Sequence, residues 1–185
     1  EQISLLFPDW QSGEERVAVF GAHDDDPMIG AGYAMMTAME NGAEVFVLLF
    51  CQGDCGYSTP EEKEEIVSVR KAETYDAYQK IGIPADHIER LEYHDFSMMN
   101  AKGYYLSDGG KGSFESIIRY LRRNRITRVL IPNGYREHAD HTAVYEAAAF
   151  DIVQANDPIV ADWGQIGCVK SVLQYSVWAD FSPED

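Results

Sequence analysis

Six apolar residues without polar alternation follow Glu44, in the segment EVFVLLF at Glu44–Phe50. A strand of this composition is buried on both faces, because a half-exposed strand alternates apolar and polar residues. Strands buried on both faces are typical of parallel sheets that helices cover on both sides. The segment therefore predicts the interior strand of an α/β protein.

Strand-like and helix-like segments alternate along the rest of the chain. Short apolar runs bounded by turn residues predict strands, and apolar residues spaced three to four apart predict helices. The predicted strands are Val17–Phe20, Glu44–Phe50, Ile88–Leu91, Arg128–Ile131 and Ser171–Trp178, the predicted helices are Met28–Asn41, Pro60–Ile81, Phe114–Arg123 and Thr142–Ala155, and Tyr93–Gly112 is a predicted long loop. Such alternation indicates right-handed crossovers and a Rossmann-like three-layer α/β sandwich, with a mostly parallel sheet and helices on both faces.

The length of the chain limits the number of domains, and its net charge limits the kinds of partner that it can bind. With 185 residues, 45% of them hydrophobic, the chain fits a single domain over residues 1–185 with a sizeable core. The 31 acidic and 15 basic residues give a net charge of −16. This charge argues against a nucleic acid as the main partner, and a neutral or cationic small molecule is easier to accommodate.

The lengths of the apolar runs and the spacing of the cysteines indicate the cellular environment of the protein. Runs of about six apolar residues are too short to span a membrane. The three cysteines, Cys51, Cys55 and Cys168, lack the spacing of a disulfide framework, so we expect a reducing, cytoplasmic environment. Two alternatives for Cys51 and Cys55 remain open, a redox pair or metal ligation together with a histidine.

Two clusters of metal-ligating side chains follow predicted strands. The first is HDDD at His23–Asp26, after the strand that ends at Phe20, and the second is HADH at His138–His141, after the strand that ends at Ile131. Taken alone, either cluster also fits a solvated helix start. Because parallel strands end at one edge of a sheet, we expect the two clusters to lie together. Imidazoles and carboxylates in this mixture suit zinc or a similar divalent ion.

Four segments of the chain carry a family resemblance. GAHDDDPMIGAG at Gly21–Gly32 and the later HADH resemble the signatures A-H-P-D-D-E and H-x-D-H of the LmbE-like, or PIG-L, family of metal-dependent N-acetylglucosaminyl deacetylases. RKAETYDAYQKIGI at Arg70–Ile83 is similar to a helix of the family. YHDFSMM at Tyr93–Met99 is similar to its segment with an Asp before a Ser/Gly-Met pair. The resemblance spans about 17–178 in the family's order.

The resemblance implies a metal centre and a base. His23, Asp26 and His141 match the family's metal ligands, for Zn²⁺ or another divalent metal. Three protein ligands leave one coordination position for water, which is the pattern of catalytic zinc sites. Asp25 matches the family's general base, which takes a proton from the metal-activated water.

The resemblance also implies the remaining site residues. His138 matches the histidine that stabilises the oxyanion or protonates the leaving amine, and Asp140 matches the carboxylate that orients this histidine. Arg70 and Asp95 match positions that contact the substrate, where the family holds sugar or aglycone hydroxyls. Metal, base and acid are the three elements that amide hydrolysis needs.

The chain departs from the first signature at two positions. Asp24 stands where the family has Pro, and Pro27 stands where it has Glu. Neither position is a metal ligand in the family, so we expect the metal site to survive, with Pro27 as the first residue of a helix. Without the proline, the turn loses a restraint on its backbone, and Asp24 adds a negative charge beside Asp25.

These observations predict a metal-dependent hydrolase that removes an N-acetyl group from a small molecule containing N-acetylglucosamine. The alternatives are a hydrolase of the same fold that acts on a different amide, and a degenerate sugar- or metal-binding module. A homo-oligomer is left open. The chain ends in VWADFSPED, soon after its last predicted strand, whereas members of the family commonly continue. It is therefore also left open whether a C-terminal segment that closes the pocket is missing or is replaced by a partner subunit.

Overall fold

A five-stranded sheet forms the central layer of the computed structural model, which describes residues 3–178. The strands are β1 Arg16–Gly21, β2 Glu44–Cys51, β3 Ile88–Tyr93, β4 Arg128–Pro132 and β5 Ser171–Tyr175. Their spatial order is β3-β2-β1-β4-β5, and each pair of neighbouring strands is parallel. The predicted α/β class is confirmed, with a sheet that is parallel throughout rather than mostly parallel.

Helices cover both faces of the sheet, and alternate residues of β1 show how. Ala18 and Phe20 belong to the core on one face, while Val17 and Val19 belong to the core on the other. Side chains of the helices that follow β3 fill the first core, and side chains of the helices that precede β3 contribute to the second. The helices are α1 Ile3–Leu6, α2 Asp26–Glu40, α3 Ile66–Lys80, α4 Met98–Ala101, α5 Ser113–Arg123 and α6 Ala139–Ala155. The three-layer, Rossmann-like arrangement is thereby confirmed.

The predicted helix over Pro60–Ile81 is wrong at its start. Pro60–Glu62 forms a single 3₁₀ turn, and α3 begins only at Ile66. The carboxylate of Glu62 accepts hydrogen bonds from the backbone N–H groups of Ser58 and Thr59. Thr59 and Glu62 therefore form a capping box, and it caps the 3₁₀ turn rather than α3.

Apart from shifts of one or two residues, two further boundaries differ from the prediction, and the predicted loop contains secondary structure. α6 begins at Ala139 rather than at Thr142, because His138 caps it by accepting a hydrogen bond from the backbone N–H of Asp140. The last strand ends at Tyr175 instead of continuing to Trp178. The predicted loop after β3 contains the short helix α4 and an isolated antiparallel bridge between residues 105 and 111.

The order of the strands determines where a site can form. The chain crosses from β1 to β2 on one side and reaches β4 on the other side of β1. The segments that leave β1 and β4 therefore diverge at one edge of the sheet, which is the usual ligand-binding crevice of such folds. None of the helices within residues 3–178 has the length and hydropathy that crossing a membrane requires.

Candidate metal centre and active site

The turn between β1 and α2 brings His23 and Asp26 close together. A Cβ atom at Gly21 would lie 2.6 Å from Cδ of Pro27, so only glycine allows this close return of the chain. Asp26 closes the turn, because its Oδ2 accepts a hydrogen bond from the backbone N–H of His23 at 2.7 Å. Pro27 stands in the first turn of α2 but is its second residue rather than its first, because the helix begins at Asp26.

Three histidines converge at the edge of the sheet. Ring nitrogens of His23, His138 and His141 all lie within 4.8 Å of one another. Asp26 joins two of these rings, since its Oδ1 is 3.1 Å from Nε2 of His141 and its Oδ2 is 3.5 Å from Nδ1 of His23. The structure therefore brings the three residues matched to metal ligands into direct contact, together with His138.

A buried carboxylate that the sequence analysis missed orients His141. Oε2 of Glu137 lies 2.9 Å from Nδ1 of His141, and both side chains are fully buried. Because a carboxylate only accepts hydrogen bonds, Nδ1 carries a proton, and in the neutral ring the lone pair of Nε2 is left on the side of Asp26. Nε2 of His141 is buried and makes no hydrogen bond, although Asp26 is near. An imidazole oriented in this way by a carboxylate is typical of a metal ligand.

The charges around the cluster favour a cation. Burial lowers the pKa of His23, but its hydrogen bonds with Asp140 and Asp26 outweigh this effect and raise the pKa to about 10. Burial likewise opposes the charge of Asp26, and His141 and His23 nevertheless hold the pKa of this carboxyl well below its usual range. The negative side chains at this point thus stabilise positive charge, which a proton or a metal ion can supply.

Asp140 matches the carboxylate that orients His138 in the family, but in this structure its closest contacts are with other residues. Its carboxylate accepts hydrogen bonds from the backbone N–H groups of Phe96 at 2.6 Å and Met98 at 3.1 Å, and it lies 3.3 Å from Nε2 of His23. The nearest distance to Nδ1 of His138 is longer, at 3.7 Å. His138 receives its hydrogen bond from the backbone N–H of Asp140, and Asp140 itself fixes the loop after β3 against the cluster.

A cavity of about 280 Å³ opens over the cluster, and Asp25 contributes to its wall. Asp25 is exposed, and its side chain does not cap α2. The lining residues include three of the matched site residues beyond the cluster, Asp25, Arg70 and Asp95, and an apolar group at Ile29, Phe96, Val177 and Trp178. The cavity can therefore hold a small molecule against the histidines.

The two residues matched to substrate contacts have other partners within the chain. The guanidinium of Arg70 contacts Glu73 at 3.1 Å and the carbonyl oxygen of Gly56 at 3.2 Å. The carboxylate of Asp95 accepts hydrogen bonds from the backbone N–H groups of Gly53 at 2.9 Å and Cys55 at 3.0 Å. Both side chains line the cavity, and Asp95 also holds the loop after β2 in position.

The cysteines make no disulfide among the described residues. The sulfur of Cys51 lies within 4.8 Å of ligand atoms of His23 and Asp140. Burial and the surrounding carboxylates raise the pKa of the Cys51 thiol far above its usual value, so this group stays protonated and unreactive. Cys51 and Cys55 are both free thiols in the structure.

Comparison with known proteins gives a family match. The model of the PIG-L family, described as GlcNAc-PI de-N-acetylase, matches residues 18–150. This range contains the turn after β1, the loop after β3 and the start of α6, which together form the cluster. No curated protein sequence matches the chain.

Solved structures share the fold at low identity. N,N'-diacetylchitobiose deacetylase from Pyrococcus horikoshii has a TM-score of 0.72 and 19% identity, over 92% of this chain and 65% of that chain. The conserved protein TT1542 from Thermus thermophilus has a TM-score of 0.67 and 24% identity, over 91% of this chain and 69% of that chain. The 4-carboxy-2-hydroxymuconate hydratase GalB from Pseudomonas putida has a TM-score of 0.68 and 20% identity, over 85% of this chain and 64% of that chain.

These structural matches are evidence for the fold, since each identity is below 25%. The chain spans between 64% and 69% of the length of the three proteins. They also differ in activity, since one is a deacetylase and another is a hydratase. One architecture thus carries more than one chemistry, as is common for α/β folds.

Proposed function

This chain belongs to the PIG-L family, and from that premise we propose that it removes an N-acetyl group from a small molecule containing N-acetylglucosamine. Membership supports a deacetylase, that is, an amide hydrolase. The sugar and the dependence on zinc belong to the proposal. The observation that carries it is Nε2 of His141, a buried nitrogen without a hydrogen bond that lies 3.1 Å from Asp26.

His23, Asp26 and His141 would hold the metal ion. Two imidazoles and one carboxylate form a donor set that zinc prefers, and Glu137 keeps the proton of His141 on the far side of the ring. A divalent cation bound here supplies a Lewis acid that polarises the amide carbonyl and increases the acidity of water. The described residues fit such an ion because the orphan nitrogen, the Asp26 carboxylate and the His23 ring meet at one point.

Asp25 acts as the general base in this proposal. It follows the ligand His23 by two residues and precedes Asp26, and it lines the cavity as an exposed carboxylate. From this position it takes the proton from the attacking water as the water adds to the carbonyl carbon. The side chain needs no other role in the fold, since it does not cap α2.

His138 stabilises the oxyanion or protonates the leaving amine in this proposal. Its Nδ1 accepts a hydrogen bond from the backbone N–H of Asp140, so a neutral ring carries its proton on Nε2. Burial and the neighbouring His23 lower the pKa of His138, which favours this neutral form at pH 7. In the neutral ring, the Nε2–H group would donate a hydrogen bond to the developing oxyanion. To protonate the leaving amine, the ring would first take up a further proton, such as the one that Asp25 removes from the attacking water, and then pass it to the amine nitrogen.

The remaining residues position the substrate and the loops. Asp140 fixes the loop after β3 and the ring of His23, while Arg70 and Asp95 would contact hydroxyl groups of the sugar or aglycone from the cavity wall. The proposal keeps one domain over residues 1–185, a cytoplasmic location and a neutral or cationic small-molecule substrate. A homo-oligomer is left open.

One observation favours a second candidate function. The fold also carries a hydratase, and Asp24 and Pro27 depart from the family signature next to the base. A metal-assisted addition or hydrolysis on a different substrate is therefore the alternative, and a binding module without turnover is the third possibility. Asp25 and His138 argue against the binding module, because a passive site needs neither a base nor an acid.

An acetate-release assay separates these functions. The substrates are N-acetylglucosamine, N,N'-diacetylchitobiose and glucosaminyl conjugates with one N-acetyl group, each tested with zinc-loaded protein. We expect acetate release that Asp25→Asn reduces by about 10²–10⁴-fold with the zinc content unchanged. The matched control is Asp86→Asn, an exposed Asp in the 3₁₀ turn before β3, which should keep wild-type activity.

The outcomes of this assay are distinct. Full activity in Asp25→Asn would remove Asp25 as the base. Zinc binding without acetate release from any of the substrates would contradict the deacetylase proposal and favour a different substrate or a binding module. Protein that binds no divalent metal would contradict the proposed mechanism as a whole.

A further inference from the structure

Arg90 is a buried arginine of β3 whose guanidinium reaches the turn after β1. Its side chain is only 1% exposed, so it does not contact a molecule in the cavity. The guanidinium pairs with the carboxylate of Asp24 and donates hydrogen bonds to Oγ1 of Thr74 at 3.2 Å and to the backbone oxygen of Gln52 at 2.9 Å. Its Nε donates to Glu92 at 3.3 Å. One side chain thus connects the turn after β1 with the loop after β2 and with α3.

Asp24 is restrained at its backbone as well. The hydroxyl of Tyr78, on α3, donates a hydrogen bond to the backbone oxygen of Asp24 at 2.9 Å. Tyr78 is fully buried and therefore a fixed reference point. Asp24 stands between His23, a proposed ligand, and Asp25, the proposed base, so any movement of Asp24 displaces both.

The family signature has a proline where this chain has Asp24. A proline stiffens a turn by fixing φ, and aspartate offers no such restraint by itself. A buried arginine needs a partner, because an unpaired charge away from water is strongly unfavourable. Asp24 and Arg90 therefore depend on each other, and the pair forms at the position where the proline is missing.

We propose that Arg90, acting through Asp24, is a positioning residue that holds the 23–26 turn and thereby directs Asp25 into the cavity. The pair supplies the restraint that the proline supplies elsewhere in the family. The inference rests on the proposed function, because it takes Asp25 as the base. It predicts that loss of Arg90 slows the chemical step, whereas a purely structural arginine affects only stability.

Three variants test this role. Arg90→Met removes the guanidinium and leaves Asp24 unpaired. The double variant Arg90→Met/Asp24→Pro removes the stranded carboxylate and introduces the proline of the signature. The control is Arg128→Met, because Arg128 is also a buried strand arginine paired with a carboxylate, Glu15, but it begins β4 at the opposite end of the strand from the site.

Both single variants should lose stability, but only Arg90→Met should lose turnover. Arg90→Met and Arg128→Met should both lower the Tm, each by about 10 °C, because each removes a buried guanidinium that pairs with a carboxylate, Asp24 or Glu15. Arg90→Met alone should lower kcat, by about 10- to 100-fold, with KM changed less than about threefold and one zinc ion per chain retained. The double variant should regain most of kcat, to within about threefold of wild type.

Two readouts do not require turnover. Hydrogen exchange of the backbone amides in residues 22–27 should be faster in Arg90→Met than in Arg128→Met, and it should return toward the wild-type rate in the double variant. The d–d absorption of Co²⁺-loaded protein reports ligand geometry and should change in the same pattern. An Arg90→Met protein with wild-type kcat and wild-type exchange in 22–27 would overturn the inference, as would a double variant that regains neither.

These readouts keep the inference separate from the proposed function. If the wild-type protein releases no acetate, the proposed function fails, and the exchange rates still decide whether Arg90 holds the turn. If the wild-type protein is active and Arg90→Met resembles Arg128→Met in every readout, the inference fails alone.

Discussion

Replacing Glu137 by Gln changes one oxygen of a fully buried carboxylate into an NH₂ group and removes its charge. The carboxylate accepts hydrogen bonds from Nδ1 of His141, from the hydroxyl of Ser176, and from the backbone N–H groups of Val177 and Trp178. Either orientation of the new amide faces its NH₂ toward at least one of these donors. At least one of these donors therefore loses its acceptor, which costs about 1–3 kcal/mol of folding stability.

The substitution should affect the metal more specifically than the fold. If the NH₂ group faces His141, the ring can satisfy it only by moving its own proton from Nδ1 to Nε2. The proton then occupies the nitrogen that faces Asp26, where the metal is proposed to bind. Loss of such an orienting partner typically lowers metal affinity by about 10- to 100-fold, which corresponds to roughly 1.4–2.8 kcal/mol.

Competition with a chromophoric zinc chelator at pH 7.5 measures this effect, and urea unfolding of the metal-free proteins measures stability. The matched control is Glu146→Gln, an exposed residue of α6 that pairs with Lys102, which should leave zinc affinity unchanged. A zinc affinity in Glu137→Gln within threefold of wild type, in a folded protein, would refute the role assigned to Glu137.

Two further predictions concern stability and its dependence on pH. Burial opposes the charge of Glu15, but hydrogen bonds from Arg128, Thr127 and Lys170 outweigh it and lower the pKa to about 2. Glu15→Gln should therefore cost about 3 kcal/mol in urea melts at pH 7, and the loss should shrink as the pH falls below 4.5, the pKa of the unfolded carboxyl. Burial raises the pKa of Asp151 to about 7, so the unfolded chain ionises from about 3.8 while the folded chain does not. Asp151→Asn should consequently stabilise the protein by roughly 2–4 kcal/mol at pH 8 and by less at pH 5, and equal effects at both pH values would contradict a neutral buried carboxyl.

The strands and the location of the site follow from the sequence because both depend on local patterns. The segment at 44–50 has no polar residue after Glu44, and the structure buries each of those six residues within β2. His23 and His141 could be assigned to one edge because parallel strands end together. Sequence spacing alone therefore brought the two halves of the cluster into one hypothesis.

Other features depend on contacts between distant segments, which spacing does not encode. Glu137 receives the backbone N–H of Trp178, 41 residues along the chain, and Arg90 reaches Asp24 across 66 residues. The sequence predicts the start of α6 at Thr142, too late, because the observed cap is His138 and histidine is not a common N-cap. In each case the sequence does not indicate which side chain forms the hydrogen bond or ion pair with a given buried group.

Acetate release from N,N'-diacetylchitobiose, measured before and after removal of metal, tests the central claim most directly. The account predicts that the protein as purified releases acetate, that chelation abolishes the release, and that one equivalent of zinc per chain restores it. Release that persists in metal-free protein, or that zinc does not restore in protein shown to be folded, would contradict a metal centre formed by His23, Asp26 and His141.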